Sequence, residues 1–288
     1  MGDDPMMQWT TLVSAEELAA ALGRPDLIVI DTRTSLTDRA ASEQAYRDAH
    51  IPGARYADLD RDLSDHRKRG GGRHPWPDAA DFTARLGEWG ITPQHQVVAY
   101  DSADGALAAA RLWFLLRVLG HRHVAVLDGG WQRWTALGLP TDAQVPVPQP
   151  THYQADYDHR RLLDAQDVRA LLDSGGLLID ARAGERFRGE VEPLDRVAGH
   201  VPGARNRAFA GNLADGRFKS REALAQEFAP LLDGREPSEV AAMCGSGVTA
   251  CHHLLAMAHA GFDGAALYTG SWSGWIEDPQ RPVATGAE

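Results

Sequence analysis

Cysteine is scarce in this sequence: there are two in 288 residues, Cys244 and Cys251, seven positions apart. So few thiols make no disulfide framework, and unpaired cysteines suit a reducing compartment. They make no structural zinc site either, because C-x6-C-H-H within one helix lacks the four-ligand spacing such sites use. No metal is expected. Basic residues are also short, 29 Lys and Arg against 40 Asp and Glu, for a formal charge of −11. A phosphate backbone or an anionic bilayer demands a basic face, so neither nucleic acid nor membrane is expected as a partner. Long apolar runs are missing too. The most apolar stretch, Ala106–Leu119, is interrupted by Arg111 and Arg117 and is shorter than the roughly 20 residues that span a bilayer, so it reads as a buried helix. Residues 1–22 carry acids and no signal-peptide pattern, and the expected location is cytoplasmic.

What the chain does contain is a duplication. Leu27–Arg33 (LIVIDTR) returns as Leu177–Arg182 (LLIDAR), His50–Arg55 (HIPGAR) as His200–Arg205 (HVPGAR), and Leu127–Trp131 (LDGGW) as Tyr268–Trp272 (YTGSW). The order is conserved between the copies, with offsets of 149 for Asp31 to Asp180, 150 for His50 to His200 and 141 for Trp131 to Trp272. The second copy is therefore about nine residues shorter, and the surplus falls in the first copy's loop, Arg61–Pro77. Pro140–His152 holds four prolines, which continue neither helix nor central strand and favour an extended tether. The expected organisation is a first domain over 1–140, a linker over 141–155 and a second domain over 156–288.

Each copy alternates short apolar runs with helical stretches. Leu27–Ile30, Gln96–Tyr100, Val124–Leu127 and Leu177–Ile179 read as strands buried on both faces. Ala15–Leu22 follows a capping-box pattern at Ser14–Glu17, while Ala106–Leu119 and Thr249–Ala260 stop at Gly120 and Gly261. This alternation predicts an α/β fold: two tandem domains, each a mostly parallel sheet flanked by helices.

In such sheets function gathers beyond the carboxyl ends of the strands. Cys244 sits there, closing the apolar stretch Glu239–Met243, with Gly245, Ser246, Gly247, Val248 and Thr249 leading into the next helix. Two glycines allow a tight turn whose N–H groups converge as an anion nest, and the helix adds its positive end. Such a loop favours a thiolate and holds a terminal persulfide anion equally well. Cys251 and the following His252 and His253 read as helix packing. Aligning Val97–Gly105 with Val240–Val248 sets Asp101 opposite Cys244. A carboxylate forms no persulfide, so one active site per chain is expected.

With these segments the chain resembles the tandem-domain rhodanese-like sulfurtransferases, the thiosulfate and 3-mercaptopyruvate enzymes, over nearly its whole length. The duplicated D-x-R and H-[IV]-P-G-A-R segments, the Cys-Gly-Ser-Gly-Val-Thr loop at 244–249, Asp101 in the other copy and G-S-W-S-G-W at 270–275 carry the resemblance. It implies a Cys244 that accepts sulfur from a small anionic donor and yields it to cyanide, a thiol or a protein acceptor, with no cofactor. The neutral loop at 245–247 resembles the mercaptopyruvate type. Arg186 matches the family's donor-binding arginine, and a guanidinium fork suits a carboxylate or sulfonate. The second family arginine, in P-E-P-R, is replaced by Glu192-Pro193-Leu194-Asp195-Arg196, where Arg196 is the expected substitute. The resemblance also implies a serine-protease-like group at Ser246, for which position suggests Asp38 and His50; the alternative is that His50 anchors its turn, as its duplicate His200 does. His74, in the surplus loop, ranks below these residues.

Two other readings remain. The fold is shared with phosphatases built on Cys-x5-Arg, but that arginine's position holds Ala250. A non-catalytic persulfide carrier or sensor keeps Cys244 without fast turnover, and steady-state cycling separates it from an enzyme.

Overall fold

The computed structural model describes residues 8–35 and 38–287. Its first half runs β1 (Leu12–Val13), α1 (Ala15–Ala21), β2 (Leu27–Asp31), α2 (Arg39–Asp48), β3 (Arg55–Tyr56), α3 (Ala79–Glu88), β4 (Gln96–Tyr100), α4 (Ala108–Val118), β5 (Val124–Leu127) and α5 (Gly130–Ala136). The second half runs β6 (Leu162–Leu163), α6 (Ala165–Asp173), β7 (Leu177–Asp180), α7 (Gly184–Phe187), β8 (Arg205–Asn206), β9 (Leu213–Ala214), β10 (Arg217–Phe218), α8 (Arg221–Leu232), β11 (Val240–Met243), α9 (Ala250–His259), β12 (Ala266–Tyr268) and α10 (Ser271–Trp275).

The sheets are ordered β1-β5-β4-β2-β3 and β6-β12-β11-β7-β8, the same order once the copies are superposed by sequence, and every pairing within them is parallel. The central strands β4 and β11 are buried along their whole length, as continuous apolar runs predict. The second half adds the antiparallel hairpin β9–β10, which no repeat in the sequence announced. Ser14 and Glu17 close the capping box of α1.

The repeated motifs prove to be the pins of each half. Asp31 accepts Arg33 at 2.7 Å and Asp180 accepts Arg182 at 2.7 Å. Each guanidinium then lies on the tryptophan of the third motif, Arg33 at 4.3 Å from the Trp131 ring and Arg182 at 4.8 Å from Trp272. His50 and His200 each pair antiparallel with the chain that leaves their own domain, at Asp142 and Ala284.

Residues 141–158 are extended but do not form a free tether. Asp142 pairs with His50, Thr151 N–H donates to Gly87 O at 2.9 Å and Asp158 N–H to Val118 O at 2.8 Å, so the segment straps the first half. Beyond it, α4 and α9 pack in one apolar cluster that runs continuously from half to half. α4 touches both its own sheet and α9, and for this reason ten of its eleven residues are buried.

Candidate active site

Cys244 follows β11 directly and is 4% exposed. The loop after it is held by the start of α10: Cys244 N–H donates to Ser271 Oγ at 3.1 Å, and the carbonyls of Cys244 and Gly245 accept Trp272 N–H and Ser273 N–H at 3.0 and 2.9 Å. With those carbonyls turned outward, no protein acceptor among the described residues takes the N–H of Gly245, Ser246, Gly247 or Val248. Gly247 has φ +77°, and a Cβ there would meet Thr269 O at 2.7 Å, so the turn requires glycine.

The first copy displays what this loop shape binds. Asp101, at the matching end of β4, accepts N–H bonds from Gly105 (3.0 Å), Ala103 (3.3 Å), Leu107 and Ala109 (both 3.4 Å). Its carboxylate fills its own amide nest, and burial raises its pKa to about 6. In the second copy the corresponding positions are Ser246, Val248, Ala250 and His252; the N–H groups of Ser246 and Val248 have no protein acceptor among the described residues, while that of His252 donates to Thr249 O at 3.0 Å.

Around Cys244 lies a cavity of about 290 Å³, lined by Arg73, His74, Leu107, Arg186, Leu194, Gly245, Ser246, Val248 and Thr249 as well as the cysteine. Arg73, His74 and Leu107 come from the first half. The surplus loop brings the first two: Gly72 N–H bonds Glu277 Oε1 at 2.9 Å and Arg73 N–H bonds Ser273 Oγ at 3.0 Å. Arg111, fully buried on α4, ties loop to loop, donating to Leu63 O at 3.0 Å, His74 O at 3.0 Å and Gly247 O at 3.1 Å while lying 4.9 Å from the Trp76 ring.

The partner of Ser246 differs from the expectation. His74 Nδ1 lies 2.8 Å from Ser246 Oγ, and His74 Nε2 lies 3.5 Å from Asp60 Oδ1. With its proton on Nε2, the ring faces Asp60 as donor and accepts the Ser246 hydroxyl on Nδ1. Burial, seconded by the Arg111 charge, lowers the His74 pKa to about 4, so the imidazole is neutral at neutral pH. His50 and Asp38 do not take part. His50 Nδ1 bonds Tyr46 O at 2.7 Å and its Nε2 Gln144 O at 3.3 Å, and the ring stacks on Tyr46; His200 does the same with Phe187. Asp38 is exposed and caps α2 through Ala41 N–H. Sequence position does not separate His50 and Asp38 from His74, since all three lie in the first half; the fold brings only His74 to Ser246, across 172 residues. The available signal was the loop itself, the one long segment without a duplicate.

Arg186 lines the cavity, bonded to Glu192 at 2.7 Å and to Asp195 at 3.4 Å. Arg196 does not: its Nη2 donates to Ile276 O, away from the cavity lining. Cys251 is fully buried, its Sγ donates to Gly247 O at 3.4 Å, and burial pushes its pKa up to about 12. His252 and His253 share Asn212 Nδ2 and contact Asp104 O and Arg207 O through Nε2, a satisfied neutral network. The one group of three carboxylates close enough together to hold a metal ion among the described residues, Asp65, Asp78 and Asp81, pairs with Arg67 and Lys68. None of the described helices is long and apolar enough to cross a membrane.

The protein is a duplicated parallel α/β protein, with a thiol after the central strand of one half and a carboxylate at the same place in the other. The rhodanese-like domain family matches residues 14–137 and 164–278, and the chain belongs to the rhodanese-like sulfurtransferases, with two such domains in tandem. It is similar to the probable 3-mercaptopyruvate sulfurtransferase of Pseudomonas aeruginosa, 50% identical over 97% of this chain and 100% of the relative. A putative thiosulfate sulfurtransferase of Mycobacterium tuberculosis is 39% identical over 96% and 97% of the two chains. Among solved structures, the 3-mercaptopyruvate enzyme of Escherichia coli matches with a TM-score of 0.77 and 31% identity, over 92% of this chain and 100% of that one.

Proposed function

We propose that the protein moves sulfur from 3-mercaptopyruvate, through a persulfide on Cys244, to cyanide, a thiol or a protein acceptor. The observation that carries the choice of donor is the Ser246–His74 bond beside Cys244. The Cys244 thiolate attacks the donor's sulfur; the S–S bond forms and the C–S bond breaks, its electron pair going to the carbon as the enolate of pyruvate. The donor's thiol proton ends on that carbon, leaving pyruvate and a persulfide anion. Ser246, backed by neutral His74, offers a proton to the carbonyl oxygen while the enolate develops and accepts it back afterwards. The N–H groups of residues 245–248 receive the persulfide anion, and an acceptor such as cyanide then removes the outer sulfur as thiocyanate, restoring the thiolate.

Thiosulfate, the alternative donor, loses sulfite and needs no proton, so it makes no use of the pair. The two-cysteine composition and free thiols support a reducing, cytoplasmic setting. Steady-state kcat/KM with cyanide as acceptor tests the reading: mercaptopyruvate should exceed thiosulfate tenfold or more, about 1.4 kcal/mol of transition-state preference. The reverse preference would contradict it.

A further inference from the structure

Resting on that reading, we propose that Arg111, on α4 of the first half, is the counter-ion of the sulfur anion that forms on Cys244 in the second, stabilising the thiolate and then the persulfide. Three arginines are buried among the described residues, Arg33, Arg111 and Arg182. Arg33 and Arg182 are each answered by a carboxylate, Asp31 and Asp180, at 2.7 Å. Arg111 is fully buried, forms no ion pair among the described residues and gives its hydrogen bonds to neutral carbonyls, those of Leu63, His74, Pro75 and Gly247. The Trp76 ring covers one face of its guanidinium. A buried charge left unanswered is costly, and the cost is recovered where an opposite charge arises beside it.

The anion that arises there is sulfur. Cys251, Cys244, Tyr157 and Asp60 are the ionisable groups whose charged forms favour the Arg111 cation. Burial pushes the Cys251 thiol up to about 12 and holds the Tyr157 phenol far above its ordinary range, so both stay neutral. Asp60 is taken up by His66 at 3.0 Å and faces His74 at 3.5 Å. Cys244 remains. Arg111 Nη1 donates to Gly247 O at 3.1 Å, and neither residue lines the cavity, so the guanidinium lies against the Cys244 loop from the interior, opposite the side on which a donor enters. The duplication supplies a control. The offset that sets Asp101 opposite Cys244 sets Leu254 opposite Arg111, so the other half spends this helix position on packing, with Leu254 buried. Acting through Gly247 and through its field rather than by contact with sulfur, Arg111 is a positioning residue.

The test is the rate of Cys244 alkylation by neutral iodoacetamide in the full-length protein and in Arg111→Gln and Arg111→Lys variants whose folding is checked by circular dichroism. At pH 7 Arg111→Gln should react about tenfold or more slowly than the parent and Arg111→Lys within about threefold of it, and the Arg111→Gln deficit should close towards about pH 10, where a thiol ionises unaided. Lysine keeps the charge and loses the fork, so a merely structural tie would slow both variants alike at every pH. Parent speed in Arg111→Gln, or equal slowing in Arg111→Lys, would overturn the proposal. A second measurement uses the parent alone and decides the matter even if Arg111→Gln fails to fold. Raising KCl from about 0.05 to 1 M should change the parent's rate by less than about twofold, since a buried charge lies beyond ionic screening. A tenfold loss in salt would move the stabilising charge to Arg73, whose side chain is 36% exposed, and would overturn it too. A parent that reacts as expected but gains no sulfur from 3-mercaptopyruvate would contradict the donor reading and leave the role of Arg111 standing.

Discussion

At the scale of single residues, the site separates two thiols that sequence alone presents as near neighbours. Cys251 is sealed against the α4–α9 contact with its pKa pushed to about 12, so it stays protonated and inert. Cys244 lines a cavity with the Arg73 and Arg186 guanidiniums and begins a loop whose N–H groups at 245–248 have no protein acceptor among the described residues. In the proposed reaction the Ser246 hydroxyl and the His74 ring, 2.8 Å apart, serve mercaptopyruvate and not thiosulfate. Ser246→Ala and His74→Asn should each lower kcat with mercaptopyruvate by about 10²-fold, the usual scale of a lost proton-transfer group. Their thiosulfate activity should stay within about threefold of the parent's, on the same balance of protons. Parallel loss with both donors in single-turnover assays would contradict a proton-handling role. Cys244 and its loop at 245–249 stand out because their motif is complete within a few residues, whereas the expected roles of Ser246 and Arg186 came from the family resemblance; all line the cavity. His74 was legible only as a lesser candidate in the surplus loop, and Asp60 and Arg73 were not singled out, since their meaning depends on a docking between halves that no local pattern encodes.

At the scale of elements, strands and helices were read nearly to the residue where the pattern is strongest: β4 and β5 coincide with their apolar runs, and α4 loses two residues at its start and one at its end. A run that is apolar throughout must be buried on both faces, and that leaves few alternatives. The proline-rich linker was read as a tether because proline reports backbone conformation and not what the strand lies against; its bonds to Gly87 and Val118 are tertiary. The surplus loop, Arg61–Pro77, carries Arg73 and His74 to the cavity. Its tip is seated through Gly72, so Gly72→Ala, which adds a Cβ against Gly270 O and strains a positive φ, should cost about 1–3 kcal/mol of stability. It should also reduce turnover with mercaptopyruvate more than the rate of Cys244 alkylation by iodoacetamide. Intact turnover in that variant would show that the loop does not need its seat.

At the scale of the whole molecule, two copies of one fold have divided labour: one keeps the thiol, the other supplies Arg73, His74, Asp60 and the Arg111 strut. Four buried histidines hold the joint assembly neutral inside, His74, His121 and His252 with pKa values lowered to about 4 and His253 to about 3, in each case chiefly by burial. The unfolded chain binds protons at these sites near pH 6.5 and the folded one does not. Their contribution is therefore complete above pH 6.5 and shrinks as the pH falls from there towards 4. Asp101, with its pKa raised to about 6, works the other way and offsets a part. Urea unfolding at pH 7.5 and pH 5 should show a net loss at the lower pH, on the order of 1–2 kcal/mol for each histidine before that offset; equal stability would contradict neutral burial of these rings. Whether sulfur rides on Cys244 is decided by mass spectrometry of the protein after exposure to 3-mercaptopyruvate without an acceptor. One added sulfur atom per chain is expected, localised by fragmentation to Cys244, removed by cyanide, retained in Cys251→Ser and absent from Cys244→Ser. Sulfur found on Cys251, or loading that survives in Cys244→Ser, would contradict it.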